Sequence, residues 1–308
     1  MVTTTPAVGD GRSGVQVPAF FEYQRATSVA HVVTLLERFG PEARIVAGGH
    51  SLIPMMKLRL AQPELLVDVN DLHELAGITV EDGVLRIGAL TRHAELLASP
   101  LAGEHFPILH DAERVIADPV VRNRGTIGGS VCQADPSEDL SGVFTALRAV
   151  AVVRGVDGDR TVPMREFFHG PYETAVRPAE ILVELRVPLQ PGAGSAYVKV
   201  DRRVGDWAVA AAGAVVSLGP GGVVEQVGIG LTAVGDADFT AVEAEDLLRG
   251  RVADEYTFAA AGEAAATHCR PVADQRGPVD YKRHLAGELT VRALRDATAR
   301  AHRGGSTE

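Results

Sequence analysis

Val46-Ala47-Gly48-Gly49-His50-Ser51-Leu52-Ile53-Pro54 and Gly125-Thr126-Ile127-Gly128-Gly129-Ser130 are the two stretches on which the reading of this chain turns. Each carries a Gly-Gly pair flanked by hydroxyl side chains, and each follows or adjoins a short apolar run. Paired glycines let backbone approach a ligand closely, and their freedom at φ lets successive amides point one way. Several converging N–H groups hold diphosphate oxygens without a basic side chain. His50, Ser51, Thr126 and Ser130 add neutral hydrogen-bonding groups. The same pairs also read as simple turns, and composition alone leaves both readings open.

Working outward, residues 28–39 place Val29, Val32, Val33, Leu35, Leu36 and Phe39 at helical spacing, with Thr27 or Ser28 as N-cap and Gly40-Pro41 as the stop. Residues 44–47 read as a short buried strand running into Gly48-Gly49, and residues 65–69 as a second strand. Such a strand–glycine turn–strand unit builds a small parallel sheet. From Ile78 the texture changes. Asp82-Gly83 between apolar runs signals a hairpin. Helices are expected at 92–98, 106–115 and 139–147, and strands at 149–154, 160–162 and 180–187. Residues 188–194 form the linker candidate, with two prolines and two glycines. Three strands follow at 196–200, 208–218 and 223–234, with a tight turn at 219–222. From Ala241 the chain reads as helical.

Length and composition set the frame. The 308 residues suit two domains, and 46% hydrophobic with 23% charged residues is ordinary for a globular protein. A net charge of −10 disfavours general binding to nucleic acid or an anionic membrane. Cys132 and Cys269 stand alone, so no iron–sulfur or Cys-rich zinc spacing exists. Their scarcity fits a reducing, cytoplasmic setting. Residues 1–14 read as a loose lead without a secretory signal, residues 303–308 as a loose tail, and no run is long enough for an integral membrane segment. A Rossmann fingerprint, a P-loop, a nucleophile elbow and a zincin motif are all absent. Gly228, Gly230 and Gly235 have the wrong spacing for a dinucleotide turn. The histidines other than His50 are scattered and read as surface or packing residues.

Taken together the motifs resemble the FAD-binding medium subunits of the xanthine dehydrogenase/carbon monoxide dehydrogenase (molybdenum hydroxylase) family. The first motif, with Lys57 following, resembles that family's first flavin motif. Asp118-Pro119, Arg122, the run from Gly125 to Ser130, Ala134-Asp135-Pro136 and Asp139-Leu140 resemble the second. Glu180-Ile181-Leu182, then Lys199 and Arg202-Arg203-Val204-Gly205-Asp206-Trp207-Ala208, resemble a third block. The resemblance runs from about Phe20 to about Arg300. It implies an α+β fold: a two-lobed PCMH/vanillyl-alcohol-oxidase-type FAD-binding domain over residues 15–190, with lobes at about 15–75 and 76–190. A carbon monoxide dehydrogenase flavoprotein-type C-terminal domain would follow over 191–303, built of a three-stranded antiparallel sheet plus helices.

The resemblance also implies the site. Ile45, Val46, Ala47, Gly48, Gly49, His50, Ser51, Leu52 and Ile53, with Thr126, Ile127, Gly128, Gly129 and Ser130, would cradle the FAD diphosphate and ribityl chain. Asp139 would bind a cofactor hydroxyl on the sugar side, and Leu182 would pack near the adenine. Ile116 would give apolar contact, and Lys199 would approach the flavin from the C-terminal domain. Ser130 stands where Asn is frequent. Trp207 stands where carbon monoxide dehydrogenase medium subunits have Tyr, so it reads either as a lid on the isoalloxazine ring or as a core residue. No catalytic acid or base and no metal ligand is assigned.

By the same resemblance, an iron–sulfur small subunit with [2Fe-2S] clusters and a molybdopterin large subunit are the partners, in a dimer of heterotrimers. Electrons would reach FAD from the clusters and leave to an external acceptor. Two rival readings are a stand-alone FAD-dependent oxidoreductase acting on a small alcohol or amine, and a binding or assembly protein that has lost FAD. The first lacks a flavin-attachment pattern and an acid/base pair. The intact glycine pairs with Asp139 and Lys199 oppose the second.

Overall fold

In a computed structural model, described over residues 17–235 and 239–304, the chain opens with strand β1 (Glu22–Arg25), helix α1 (Val29–Phe39), strand β2 (Ala43–Val46), helix α2 (Leu52–Lys57) and strand β3 (Leu65–Asp68). The expectation for residues 1–14, and that for 305–308 of the tail, lie outside the described residues. The three strands form a parallel sheet in the order β1-β3-β2, with Glu22 opposite Leu65 and Val46 opposite Asp68. Ser28 caps α1 by accepting from the His31 amide (3.1 Å), and Gly40, at φ 53°, ends it. The face Val29, Val32, Val33, Leu36 is buried against the sheet. β1 and α2 have no counterpart in the sequence reading. α2 tolerates Pro54 because a proline in the first helical turn forfeits only an amide that has no intrahelical partner.

The second sheet has the order β4 (Ile78–Glu81), β5 (Val84–Gly88), β10 (Ile181–Pro188), β6 (Val150–Gly155), β7 (Gly158–Pro163) and is antiparallel throughout. Strands β4 and β5 are joined at Asp82-Gly83, where both residues have positive φ, as a two-residue type I′ turn demands. Six helices then intervene: α3 (His93–Ala98), α4 (Pro100–His105), α5 (Pro107–Val115), α6 (Pro119–Arg122), α7 (Ile127–Gln133) and α8 (Asp139–Ala146). Proline opens three of them, at a position where its fixed φ suits a helix start. Strands β6 (Val150–Gly155) and β7 (Gly158–Pro163), the small hairpin β8 (Phe168–Gly170) and β9 (Glu173–Thr174), and β10 (Ile181–Pro188) complete this part. Leu85, Ile87, Phe106, Leu109, Val143, Phe144 and Leu185 fill its core.

The turn reading of the second glycine pair is corrected here. Gly128 and Gly129 lie in the first turn of α7, and neither has positive φ. Gly128 is there for close packing: a Cβ on it would sit 2.8 Å from the Ala89 carbonyl oxygen.

Pro188 closes β10 and Gly194 opens β11 (Gly194–Val200), which pairs antiparallel with β12 (Ala210–Leu218), itself antiparallel to β13 (Val224–Thr232). Helices α9 (Val242–Leu248), α10 (Glu255–His268) and α11 (Val279–Gly304) follow. Arg303, expected in a loose tail, is helical. The glycines of this sheet let helices lie directly on it. A Cβ at Gly194 would fall 2.0 Å from Ala297 O on α11. A Cβ at Gly230 would fall 1.9 Å from Gly142 O on α8. The sheet is thus sandwiched, and α8 and α5 are shared with the core of the second sheet. That contact carries Lys199 of β11 onto the start of α8.

Candidate functional site

A cleft of about 1430 Å³ runs between the first and second sheets. Its walls bring together Ile45, Val46, Ala47, Gly48, Gly49, His50, Ser51, Leu52, Ile116, Thr126, Gly128, Gly129, Ser130, Asp139, Leu182 and Trp207. Of the residues expected at the site, Ile53, Ile127 and Lys199 do not line it. Ile127, the first residue of α7, is fully buried. Trp207 is 42% exposed on the rim, which rules out the core reading.

The two glycine motifs touch. A Cβ at Gly48 would lie 2.5 Å from Arg124 O and 2.7 Å from Gly125 Cα, so only glycine allows this approach. Gly49 turns the chain at φ 77°. The carbonyls of the first loop are tied back into the protein. Ala47 O accepts from the Asn70 amide side chain (2.9 Å), Gly48 O from His50 Nδ1 (3.0 Å), and Gly49 O from the Ile53 amide (3.0 Å). Arg92 braces Asn70 (2.8 Å) and Arg124 O. With the carbonyls held, the amides of Gly48, Gly49, His50, Ser51 and Leu52 donate to nothing among the described residues. A run of partnerless amides on a cleft wall is a demand that an anionic ligand satisfies.

The second motif is built differently, and the expectation of two equivalent amide cradles is corrected. The Ile127 amide donates to Thr91 O (2.9 Å), Gly128 to Ala89 O (2.8 Å), Gly129 to Thr126 Oγ1 (3.1 Å) and Ser130 to Thr126 O (3.0 Å). No amide from Ile127 to Ser130 is left for a ligand. What it offers the cleft is hydroxyl groups, above all Ser130.

Behind Ser130 stands a pair that sequence reasoning missed. His93 Nε2 is 2.9 Å from Ser130 Oγ, and His93 Nδ1 is 3.0 Å from a Glu113 carboxylate oxygen. Glu113 is wholly buried. Burial alone pulls His93 down, but the Glu113 carboxylate overcomes it and holds the imidazole above its ordinary value. The three residues come from α3, α5 and α7, so no local pattern signals them. The nearest clue is Gly125, where a Cβ would stand 2.9 Å from the His93 ring.

Lys199 reaches the site through Asp139. Its ammonium, 2% exposed, donates to Asp139 Oδ2 (2.8 Å) and Val115 O (3.2 Å), while Asp139 Oδ1 accepts from the Tyr197 hydroxyl (2.6 Å). Each carboxylate oxygen keeps a second lone pair for a hydroxyl in the cleft. Burial raises the Asp139 carboxyl, with Lys199 opposing.

Glu138, also on the cleft and also missed, accepts from the amides of Leu140 and Ser141 (both 2.8 Å), and its burial pushes it up to about 7. A carboxyl raised in the folded state adds stability below its unfolded value near 4.5 and loses it as pH rises through about 7. The expected result is a fall in stability on the order of 3 kcal/mol from pH 4.5 to 8 from this group, absent in Glu138→Gln. Urea unfolding of both proteins at the two pH values checks it; parallel curves contradict it.

Cys132 is pushed up to about 12 by burial and is inert. Among the described residues no His/Cys/Asp/Glu cluster suits a metal, and no helix is long and apolar enough to cross a membrane.

Comparison with known proteins settles the family. Residues 19–190 match the FAD binding domain in molybdopterin dehydrogenase, and residues 195–297 match the CO dehydrogenase flavoprotein C-terminal domain. The chain belongs to the FAD-binding subunits of the molybdopterin dehydrogenases. It is 43% identical to the carbon monoxide dehydrogenase medium chain of Hydrogenophaga pseudoflava, over 92% of this chain and 99% of that one. It is 37% identical to the 6-hydroxypseudooxynicotine dehydrogenase complex subunit alpha of Paenarthrobacter nicotinovorans, over 92% and 96%. Its fold superposes with a TM-score of 0.90 on a chain of the Hydrogenophaga pseudoflava carbon monoxide dehydrogenase that lacks the Mo-pyranopterin moiety. That chain is 44% identical, with 92% and 99% covered. As a member of this family, the protein is the FAD-binding flavoprotein subunit of an oxidoreductase. The residues fit that cofactor. The cleft exceeds the ~300–1,000 Å³ of ordinary small-molecule pockets, as a long dinucleotide needs. Its free amides suit a diphosphate.

Proposed function

We propose that this chain is the electron-transfer subunit of a heterotrimeric molybdenum hydroxylase. It takes electrons from [2Fe-2S] clusters of a small partner subunit and passes them to an external acceptor, in a cytoplasmic dimer of heterotrimers whose large subunit carries molybdopterin. The observation that carries the reading is the run of five partnerless amides, Gly48 to Leu52, on a cleft of about 1430 Å³. Two relatives bearing the words medium chain and complex subunit support an assembly of several chains.

Bound FAD supplies the chemistry of taking electrons singly and releasing one or two. The chain's own residues do the rest. The amides of the first loop hold the diphosphate. Asp139, ion-paired with Lys199 and bonded by the Tyr197 hydroxyl, accepts from a sugar hydroxyl. Leu182 and Ile116 give apolar contact, and Trp207 covers the ring from the rim. Ile53, Ile127 and Lys199 hold their neighbours in place from behind the wall. The division of the chain falls in the segment between Pro188 and Gly194.

Co-expression of a tagged chain with its neighbouring reading frames tests the assembly. Recovery of flavin, iron and molybdenum in fixed ratio supports it. Flavin without iron or molybdenum, with alcohol or amine oxidation by the chain alone, overturns it.

A further inference from the structure

Glu113, His93 and Ser130 make a hydrogen-bonded chain that starts in the core and ends on the cleft, and nothing in the electron-transfer account uses its inner two members. The order hydroxyl–imidazole–carboxylate is that of a nucleophile, its base and an orienting group. Hydrolytic chemistry does not follow here, because the amides of Ser130's own turn are already bonded and none remains there to hold an oxyanion.

We propose that His93 and Glu113 are positioning residues that lock Ser130 as a hydrogen-bond donor toward a phosphate oxygen of the bound dinucleotide. The inference rests on the FAD reading above and gives the second glycine motif a role its amides cannot fill.

The proton on His93 sets the polarity of Ser130. A serine hydroxyl has one hydrogen and can either give it to His93 or point it into the cleft. If Nε2 bears no hydrogen, Ser130 donates inward and presents only lone pairs to the cleft, which repel a phosphate. If Nε2 bears a hydrogen, Ser130 accepts from it and its own O–H is free to donate outward. The Glu113 carboxylate, at hydrogen-bond distance on the far side and sealed from water, favours the doubly protonated ring. Its neighbours act in the same sense. Glu138 and Asp139, at the start of α8, also raise His93. Burial raises the Glu113 carboxyl and Asp139 adds to that, while His93, at hydrogen-bond distance, and Arg122 of α6 oppose it and favour the ionised form. Asp139 is bonded to Lys199 of β11, and Cys132 of α7 is neutral. The absent side chain at Gly125 leaves the space in which the ring reaches Ser130.

FAD titration of the purified chain at pH 6 and pH 8.5, read by flavin fluorescence, tests this. The wild-type Kd is expected to change less than threefold between the two. Ser130→Ala should raise it about tenfold or more at both, the loss of one charge-assisted donor. Glu113→Gln should resemble Ser130→Ala at both pH values, because without the carboxylate burial pulls His93 below the ordinary histidine range. Adding Glu113→Gln to Ser130→Ala should change nothing further. His93→Gln, which keeps an N–H donor near Nε2, should bind like wild type at both pH values and covers the case in which Glu113→Gln does not fold. Ser130→Ala within twofold of wild type, or His93→Gln as weak as Ser130→Ala, overturns the proposal. Failure of wild type to bind FAD overturns instead the reading on which it rests.

Discussion

Replacing Lys199 with methionine lowers stability by about 3–5 kcal/mol, the usual cost of removing one partner from a buried ion pair. Methionine keeps the length of the side chain and its apolar packing, so the loss isolates the charge. Asp139 is then left buried with only the Tyr197 hydroxyl. The pair also spans the molecule: Lys199 sits on β11, Asp139 begins α8, and Val115, the second acceptor, ends α5. Losing it loosens the join of the C-terminal sheet to the cleft wall, and FAD affinity falls with stability. The sign with pH is fixed. Without Lys199 the folded carboxyl rises further, so the penalty is small below the unfolded value near 3.8 and grows as pH climbs. Asp139→Asn on top of Lys199→Met should recover much of the stability while leaving FAD affinity low. Calorimetric melting at pH 5 and 8 measures this; a loss under 1 kcal/mol at pH 8 contradicts the account.

Gly48→Ala weakens FAD binding by about 100-fold, roughly 2.7 kcal/mol, with a smaller effect on the apo fold. The added Cβ meets backbone at Arg124 and Gly125, which cannot swing aside as a side chain would. The two motifs must separate, and the five amides lose their aim. Gly129→Ala is the control. Its Cβ meets the Thr126 hydroxyl at 2.7 Å, a side-chain end that can turn away at the cost of its cap on α7, where Gly48 meets immovable backbone. Its FAD affinity should stay within a fewfold of wild type. Equal losses for the two substitutions, by titration, contradict the claim that the loops differ.

These effects mark the limit of what the sequence shows. Helix α1 and strands β2 and β3 are legible because the apolar period and the stop at Gly40-Pro41 are local. Helix α7 is not, because two glycines disfavour a helix that forms only by packing Gly128 on Ala89. Helix α2 hides behind Pro54. Motif resemblance puts Lys199 and Asp139 at one site, but it does not say that they bind each other. Nor does it show that the amides of Gly48–Leu52 are free while those of Ile127–Ser130 are bonded. That depends on where carbonyls are tied, and Asn70, which holds Ala47 O, lies 23 residues from it. His93 and Glu113, 20 residues apart on two helices, meet only when α3 and α5 pack.

The central claim is that the Gly48–Leu52 loop on this cleft holds FAD. Equilibrium titration of the purified chain with FAD, followed by the flavin absorption spectrum, tests it most directly. The account requires one saturable site per chain, reversibly reducible, and lost in Gly48→Ala but kept in Gly129→Ala. No flavin band after addition of FAD, or binding indifferent to Gly48, contradicts it.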